Sequence, residues 1–470
     1  MTVPADTLAT ASINELGAMI RRGDVTPSVL ARHTLDLLDT QGRTLNAVVT
    51  LTPERAMREA ARAETELAAG HDRGPLHGIP YGAKDLLATA GIPTTWGAAP
   101  YRDQVFDYDA AVVERLERAG AVLVAKLAMV ELAGGMGYEQ PDASLTGPGR
   151  NPWNPDAWSG GSSSGSGSAV GGRLVPFAIG SETQGSIVTP SAFCGVSGLR
   201  PTYGRVSRYG AMALCWTMDK LGPMCRMAED CGLVLAAIAG RDPRDATSAD
   251  RRFTYPSNSA PRRSFRLGVL AGAGDEVQPE VAANFRASLD ILRDDAIVEE
   301  VMLPDLPYSA VSGIIIPAEA SSAFDELIAS GGIADLTAPE DRVKPYSYEA
   351  ISAKDYLRAM RLRRQIAQSL DEWIAPYDAI VSPALNVVAT PIDQPFGMQL
   401  RRRWIPLTAA ANLAGLPAIT VPNGFGERGL PTSLQFTGRV WTEARILAAA
   451  SAYQSRTDWH RRVPPAALTV

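Results

Sequence analysis

The chain has 470 residues, of which 46% are hydrophobic and 20% charged, a balance typical of a soluble globular protein. Its formal net charge of −6 disfavours a basic surface for nucleic acid or an anionic membrane. With only four cysteines and four histidines, a disulfide scaffold or a zinc site is not expected. No apolar run approaches the ~20 residues of a membrane span, and early acidic residues disfavour an export signal. We therefore expect a cytoplasmic protein.

The N-terminal part of the sequence predicts helices. Ser12 and Glu15 have the spacing of a capping box at a helix start. Thr26 followed by Pro27 predicts a second start, with threonine as N-cap and proline in the first turn. Residues 54–69 are rich in alanine, glutamate and arginine, which favours a third helix.

From Gly74 onward the pattern changes to that of an α/β protein. Residues 74–85 predict a loop and a short strand, residues 109–118 a helix, and residues 120–125 a buried strand. Alternation of amphipathic helices with short apolar strands predicts a sheet that is covered by helices.

Two segments rich in glycine and serine follow, at 160–172 and 180–186. By composition the first would be a flexible linker. However, the apolar stretch 174–179 lies between the two and predicts a strand. We therefore expect both segments to be turns within one domain.

The later part of the chain predicts a surface connection and further α/β elements. Residues 254–264 are polar and contain proline, and we expect them to connect the N-terminal core to a more variable lobe over about 265–400. The elements predicted beyond the connection are a strand, a long helix, a second strand and a last helix, over 265–271, 348–373, 377–383 and from Thr442.

Serine, lysine and glycine-rich turns are the residues best suited to catalysis here. A serine hydroxyl needs a base to act as a nucleophile at neutral pH. With few histidines available, a lysine whose pKa is lowered by burial is an alternative base. A glycine-rich turn exposes backbone N–H groups that can stabilise an oxyanion.

Several ordered motifs carry a resemblance to a known family. Lys84 stands in GIPYGAKD, Ser162 in GGSS at 160–163 and Ser186 in GSI at 185–187, with 78 residues from the lysine to the first serine and 24 to the second. Together with NPWN at 151–154, they resemble the motifs of the amidase signature family. The resemblance continues through 190–207, 412–417 and 429–435, and is looser over about 240–400.

The resemblance implies a fold and a catalytic triad. The fold would be a single α/β/α domain over residues 1–470, with a large mixed central sheet covered by helices. Ser186 would be the acyl-forming nucleophile, Ser162 a bridging serine on a cis peptide bond, and Lys84 the base. Neither a metal nor an organic cofactor is implied.

The same resemblance assigns supporting roles to neighbouring residues. Backbone N–H groups of the turn that carries Ser186 would form the oxyanion hole, those of Thr183, Gln184, Gly185 and Ser186. Ser163 would support the triad through hydrogen bonds. Independently of the resemblance, we expect Glu182 to be a structural acid near the oxyanion turn and not a direct catalyst. Gly135 and Met136 would lie in a turn that faces the substrate.

The nucleophile turn departs from the family's commonest pattern, which is close to GTDTGGSIR. Here it is GSETQGSIV, so Glu182 replaces aspartate, Gln184 replaces glycine and Val188 replaces arginine. Loss of the arginine beside a longer acid predicts that a local acid–arginine pair has been rebuilt. The changes alter the expected substrate range and weaken an assignment as the glutamine-hydrolysing component of an amidotransferase.

The function expected from these residues is hydrolysis of a linear amide through an acyl-enzyme on Ser186. The same chemistry would cleave a carbamate, an anilide or an ester. We expect a small to medium-sized uncharged amide as partner, no nucleic acid and no membrane, and a homodimer is left open. The alternative is the amidase-like subunit of a tRNA-dependent amidotransferase complex, and a third hypothesis is an inactive scaffold. Residues 313–316 and 401–404 are candidates for the pocket wall.

Overall fold

The computed structural model describes residues 4–255, 264–396 and 406–465. Within them, one mixed sheet of eleven strands runs through the molecule and helices pack around it. The strands are β1 (Val48–Leu51), β2 (Pro80–Lys84), β3 (Val122–Leu127), β4 (Phe177–Glu182), β5 (Ser197–Arg200), β6 (Lys220–Cys225), β7 (Phe265–Leu270), β8 (Ala296–Val301), β9 (Ala379–Pro383), β10 (Ala418–Phe425) and β11 (Pro431–Thr437).

The α-helices precede, separate and follow these strands. They are α1 (Ala5–Thr10), α2 (Ile13–Arg22), α3 (Pro27–Leu37), α4 (Pro53–Ala68), α5 (Ala111–Arg118), α6 (Ser164–Gly171), α7 (Val188–Cys194), α8 (Ala228–Ile238), α9 (Pro279–Leu292), α10 (Tyr308–Ala323), α11 (Asp325–Ala329), α12 (Pro345–Tyr348), α13 (Ala353–Ile374), α14 (Pro406–Leu413) and α15 (Glu443–Ser455). The expected α/β architecture with a large mixed sheet is confirmed.

The strand order is β1-β3-β2-β4-β6-β5-β10-β11-β9-β7-β8. Strands β2 and β4 are parallel neighbours, and β6 runs antiparallel to β4. The last residues of β2 and β4 therefore lie at the same edge of the sheet as the first residue of β6. This arrangement brings Lys84, Glu182 and Lys220 to one edge.

Both faces of the central strands are buried. Along β4, Phe177 and Ile179 join the largest hydrophobic cluster, whereas Ala178 between them joins a second cluster. Side chains alternate between the faces of a sheet, so this pattern places a core on each side of the strand. A strand that is buried on both faces gives the side chains at its end little freedom to move.

The N-terminal predictions agree with the structure. The Ser12 side chain accepts from Glu15 N while the Glu15 side chain accepts from Ser12 N, which completes the capping box of α2. Thr26 caps α3 through Val29 N, with Pro27 in the first turn. The third predicted helix is α4, and the two predicted strands are β2 and β3.

The first segment rich in glycine and serine is not a linker, because all eight residues of α6 are buried. Small residues are required there. A Cβ atom on Gly165 would lie 2.5 Å from Ala128 N and closer still to Ala47 O. Glycine thus allows this helix to pack directly on the backbone of its neighbours.

Some predicted boundaries are wrong. Gly180, at the start of the second predicted turn, lies in the strand β4, as do the two residues after it, so the turn begins only at Thr183. The long helix begins at Ala353, capped by Ser352, instead of near residue 348. Thr442 precedes α15, but its hydroxyl donates to Arg439 O and does not cap that helix.

Of the predicted connection at 254–264, residues 256–263 lie outside the described residues, as do residues 401–404. Residues 313–316 lie in the helix α10. Strands β7 to β9, from the region that was expected to vary, extend the same sheet. In the described ranges, we find no helix with the length and apolar character that crossing a membrane requires.

Candidate active site

Lys84 is fully buried at the end of β2, where its ammonium group contacts three serine hydroxyls. Its Nζ atom lies 2.8 Å from Ser162 Oγ, 2.9 Å from Ser181 Oγ and 3.1 Å from Ser163 Oγ. Burial lowers the pKa of Lys84 well below its usual value, against the opposing charges of Asp219 and Glu182. A lysine whose pKa is lowered loses its proton more readily, and the neutral amine can then accept one.

Ser162 and Ser163 lie in the segment immediately before α6. The Gly161–Ser162 peptide bond is cis, as the resemblance implies. Ser163 Oγ lies 3.2 Å from both the N–H and the carbonyl oxygen of Ser181. The backbone N–H of Ser163 donates to Ser186 O at 3.2 Å, which connects this segment to the predicted nucleophile.

Ser186 lies in a turn between β4 and α7 and is partly exposed. The turn requires Gly185, whose φ of +102° lies in a region that other residues rarely adopt. Among the described residues, none accepts a backbone hydrogen bond from Thr183, Gln184, Gly185 or Ser186. Their N–H groups are therefore available to an external acceptor, as an oxyanion hole requires.

Glu182 organises the other side of this turn. Its Oε2 atom accepts from Ile187 N at 2.9 Å and from Val188 N at 3.0 Å. Its Oε1 atom accepts from Arg200 Nη1 at 2.8 Å and from Asn412 Nδ2 at 3.0 Å. Burial raises the pKa of Glu182, but the charges of Arg200 and Lys220 outweigh it and lower the pKa to about 2. The acid–arginine pair predicted from the sequence is therefore present, with Arg200 as the cation.

A cavity of about 260 Å³ adjoins Ser181 and Thr183. Its walls are mostly apolar and include Leu86, Ala133, Ala211, Met212, Leu214, Trp216 and Leu221, while its polar lining includes Asp219, Arg208 and Tyr209. Neither Gly135 nor Met136 lines this cavity, and Met136 is fully buried. Their substrate-facing role remains a prediction.

Gln184 adds a polar side chain beside Ser186. Its Oε1 atom is buried and accepts no hydrogen bond within the described part of the chain. A buried amide oxygen without a hydrogen-bond donor is destabilising. No group of three side chains suited to metal binding occurs in the ranges that the structure describes.

Sequence reasoning missed several residues that contact this site. Ser181 was recognised only as part of a turn, and Asn412 only as part of a motif. Arg200 was likewise recognised only as part of a motif. Lys220 and Asp219 carried no local signal, because they reach the site through strand pairing and loop packing. The catalytic roles of Lys84, Ser162 and Ser186 remain predictions, although the structure places the first two in direct contact.

This mixed α/β fold, with a buried lysine among serine hydroxyls, defines a class of amide-cleaving enzymes. The family model described as Amidase matches residues 30–447. The chain belongs to the amidase signature family.

Relatives and solved structures agree with this membership. A glutamyl-tRNA(Gln) amidotransferase subunit from Alkalilimnicola ehrlichii is 37% identical over 484 residues, covering 96% of this chain and 98% of that protein. The structure of native peptide amidase from Stenotrophomonas maltophilia is 31% identical, with a TM-score of 0.84 over 98% of this chain and 99% of that one. The structure of a glutamyl-tRNA(Gln) amidotransferase subunit from Thermotoga maritima is 29% identical, with a TM-score of 0.79 over 97% of each chain.

The comparison overturns the partners predicted from the sequence. No nucleic acid was expected, because the net charge is negative and no basic run occurs, and a small uncharged amide was expected, because the motif loops contain no cationic cluster. The relatives are named as subunits of a glutamyl-tRNA(Gln) amidotransferase, which contradicts that prediction. Net charge describes the average surface of a chain, and it does not identify the macromolecules that the chain contacts.

Proposed function

We propose that this chain is the amide-cleaving subunit of a tRNA-dependent amidotransferase. The observation that carries the proposal is its similarity to subunits of glutamyl-tRNA(Gln) amidotransferase, at 37% identity over nearly the full length of both chains. The substituted turn at Glu182, Gln184 and Val188 counts against glutamine as donor. Similarity over nearly the whole chain outweighs three positions of one turn.

The proposed reaction begins at Lys84. The neutral amine takes a proton from the Ser162 hydroxyl, and Ser162 takes a proton from Ser186. As it loses this proton, Ser186 Oγ attacks the amide carbon. Negative charge on the former carbonyl oxygen is received by the N–H groups of the turn. The relay returns a proton to the leaving nitrogen, the C–N bond breaks and ammonia leaves the acyl-enzyme.

Deacylation uses the same groups in reverse. Water gives a proton to the relay, its oxygen attacks the acyl carbon, and Ser186 Oγ leaves and is protonated again. In an amidotransferase the released ammonia is the product that matters, because it is the nitrogen transferred to the tRNA-bound glutamyl group. What supports the relay is the burial of Lys84 and its 2.8 Å contact with Ser162 Oγ.

The test is a reconstitution with the partner subunits encoded by the same source organism. Ammonia release from glutamine and conversion of glutamyl-tRNA(Gln) are measured for the wild type and for Ser186→Ala. We expect the complex to form the amide on the tRNA, and Ser186→Ala to lose it by at least about a thousandfold. Failure of the wild-type chain to support transfer, with the other subunits shown to be competent, overturns the proposal.

A second candidate is a free-standing amidohydrolase of linear amides. The observation that favours it is Gln184, a residue of the turn that carries the proposed nucleophile, whose buried side-chain oxygen has no hydrogen-bond partner in the described part of the chain. The purified chain alone would then cleave linear amides or anilides with Ser186-dependent turnover. Turnover that is unchanged by partner subunits and tRNA would select this candidate over the first.

A further inference from the structure

A second buried lysine, Lys220, contacts the turn that carries the proposed nucleophile. It is the first residue of β6 and pairs across the sheet with Glu182, the last residue of β4. Its side chain is buried, and Nζ donates to Thr183 O at 3.2 Å and to Asn412 Oδ1 at 2.7 Å. A lysine is rarely buried without a specific set of acceptors, and here one acceptor is the backbone of the turn.

Two consecutive residues, Asp219 and Lys220, each form a hydrogen bond with Thr183. Its hydroxyl donates to Asp219 Oδ1 at 2.6 Å, and its carbonyl oxygen accepts from Lys220. Asp219 is itself fixed, because its Oδ2 accepts from Leu214 N at 2.8 Å and Cys215 N at 2.9 Å. The side chain and the backbone of Thr183 therefore have little freedom to rotate.

The carbonyl contact also determines a direction. In a trans peptide the C=O of one residue and the N–H of the next point to opposite sides. Fixing Thr183 C=O toward Lys220 therefore fixes Gln184 N–H on the opposite side, away from the lysine. Gln184 N–H is one of the four groups that donate to no described residue.

We propose that Lys220 is a positioning residue that orients the oxyanion turn through its hydrogen bond to the Thr183 carbonyl. This inference rests on the proposed acyl-enzyme chemistry at Ser186. Lys220 does not touch the reacting atoms, and it acts by holding the Thr183–Gln184 peptide in one orientation.

Asn412 links this contact to the rest of the turn. Its Oδ1 accepts from Lys220, while its Nδ2 donates to Glu182 Oε1 at 3.0 Å and to Thr408 O at 2.9 Å. Because Glu182 binds the N–H groups of Ile187 and Val188, both ends of the turn are fixed by one buried network. Burial lowers the pKa of Lys220 to about 7, and a neutral amine still donates to Thr183 O.

The experiment measures how fast a fluorophosphonate labels Ser186, since the phosphonyl oxygen requires the same N–H groups as an oxyanion. Full-length wild type is compared with Lys220→Met, Lys220→Gln and the control Arg226→Met. Arg226 is also a buried cation, just past the other end of β6, and it donates to the carbonyls of Ala9 and Ala11. Peptide mapping locates the label, and thermal melts establish folding.

We expect Lys220→Met to slow labelling about 30- to 100-fold, approaching the effect of losing one oxyanion donor. Lys220→Gln, which keeps an N–H donor, should recover most of the rate, and Arg226→Met should stay within about threefold of wild type. The proposal is overturned if Lys220→Met is labelled within about threefold of the wild-type rate, or if Lys220→Gln is labelled no faster than Lys220→Met. It is also overturned if Arg226→Met is labelled as slowly as Lys220→Met.

Should Lys220→Met not fold, Asn412→Leu takes its place. It removes the side chain that anchors the Lys220 amine, so the same slowing is expected, and an unchanged rate overturns the proposal. Wild type that is not labelled at Ser186 overturns the acyl-enzyme chemistry itself. If wild type is labelled at Ser186 and Lys220→Met is labelled at the same rate, only the role of Lys220 is overturned.

Discussion

Arg200 donates to Glu182 across 2.8 Å, and both side chains are fully buried. The arginine lies on β5, whereas the family pattern places one directly after the nucleophile turn, where this chain has Val188. Glu182 therefore has a cationic partner on β5, although Val188 stands where the family pattern has arginine. Glu182 can then hold Ile187 N and Val188 N without carrying an uncompensated charge.

Arg200→Met is expected to destabilise the protein, because it leaves the Glu182 carboxylate buried and without its main partner. Breaking a buried ion pair on one side costs about 3–5 kcal/mol. Urea unfolding at neutral pH measures this loss. Arg439→Met is the control, because Arg439 forms a largely exposed pair with Asp371, and such pairs contribute at most about 1 kcal/mol. Equal losses in the two variants would contradict the importance assigned to Arg200.

Lys84 is expected to control the pH dependence of acylation. Only the neutral amine can accept a proton, so labelling of Ser186 should fall as the pH decreases through the pKa of Lys84. Burial lowers that pKa well below the ordinary lysine value, so the midpoint should lie well below about 10.4. The labelling rate of the wild type from about pH 5 to pH 9 measures this midpoint.

The matched variants separate a base from a structural lysine. Lys84→Met should reduce labelling about 10²- to 10⁴-fold, the range of general-base contributions. Lys126 is also fully buried, pairs with Asp85 at 2.9 Å and does not contact the serines, so Lys126→Met should keep the wild-type midpoint. A folded Lys84→Met variant that keeps the wild-type labelling rate would remove Lys84 as the base.

The sequence was informative where function requires a fixed spacing along the chain. Lys84 and the serine motifs could be found because each stands in a run of glycine and small residues that few other structures require. The cluster at Lys84 Nζ follows from three such runs meeting at one edge of the sheet.

Contacts made through strand order could not be predicted in this way. Lys220 lies opposite Glu182 only because β6 pairs with β4, and Arg200 reaches Glu182 only because β5 lies beyond β6. Lys220 has no local pattern that distinguishes it from a surface cation, and the motif that contains Arg200 does not indicate which acid the arginine contacts. Gly160–Gly172 shows the same limit, since its composition is that of a linker and only the packing of α6 reveals why glycine is needed.

Gly165→Ala is expected to prevent stable folding or to lower the free energy of unfolding by more than about 3 kcal/mol. The added methyl group would collide with the backbone at Ala128 N and Ala47 O, which cannot move aside as a side chain could.

Gly313→Ala is the opposite case, because Gly313 lies exposed in α10 with open space around its Cβ position. It should stabilise the protein by about 0.5–1 kcal/mol. Urea unfolding measures both, and an equal effect of the two variants would contradict the packing assigned to α6.

Asp341 is buried against Glu131, whose carboxylate accepts from Thr337 N and Ala338 N at 2.8 Å each. Burial and the Glu131 charge raise the pKa of Asp341, so the folded state binds its proton over a pH range where the unfolded state does not. The contribution of Asp341 to the free energy of unfolding is therefore fully present below the pKa of about 3.9 that the group has in the unfolded chain. This contribution is lost as the pH rises toward the raised pKa of the folded state. Asp341→Asn removes that loss, so its gain in unfolding free energy should be near zero at about pH 4 and should increase toward about pH 8. Urea unfolding at both pH values measures the difference. A gain that is the same at both would show that Asp341 is not protonated in the folded protein.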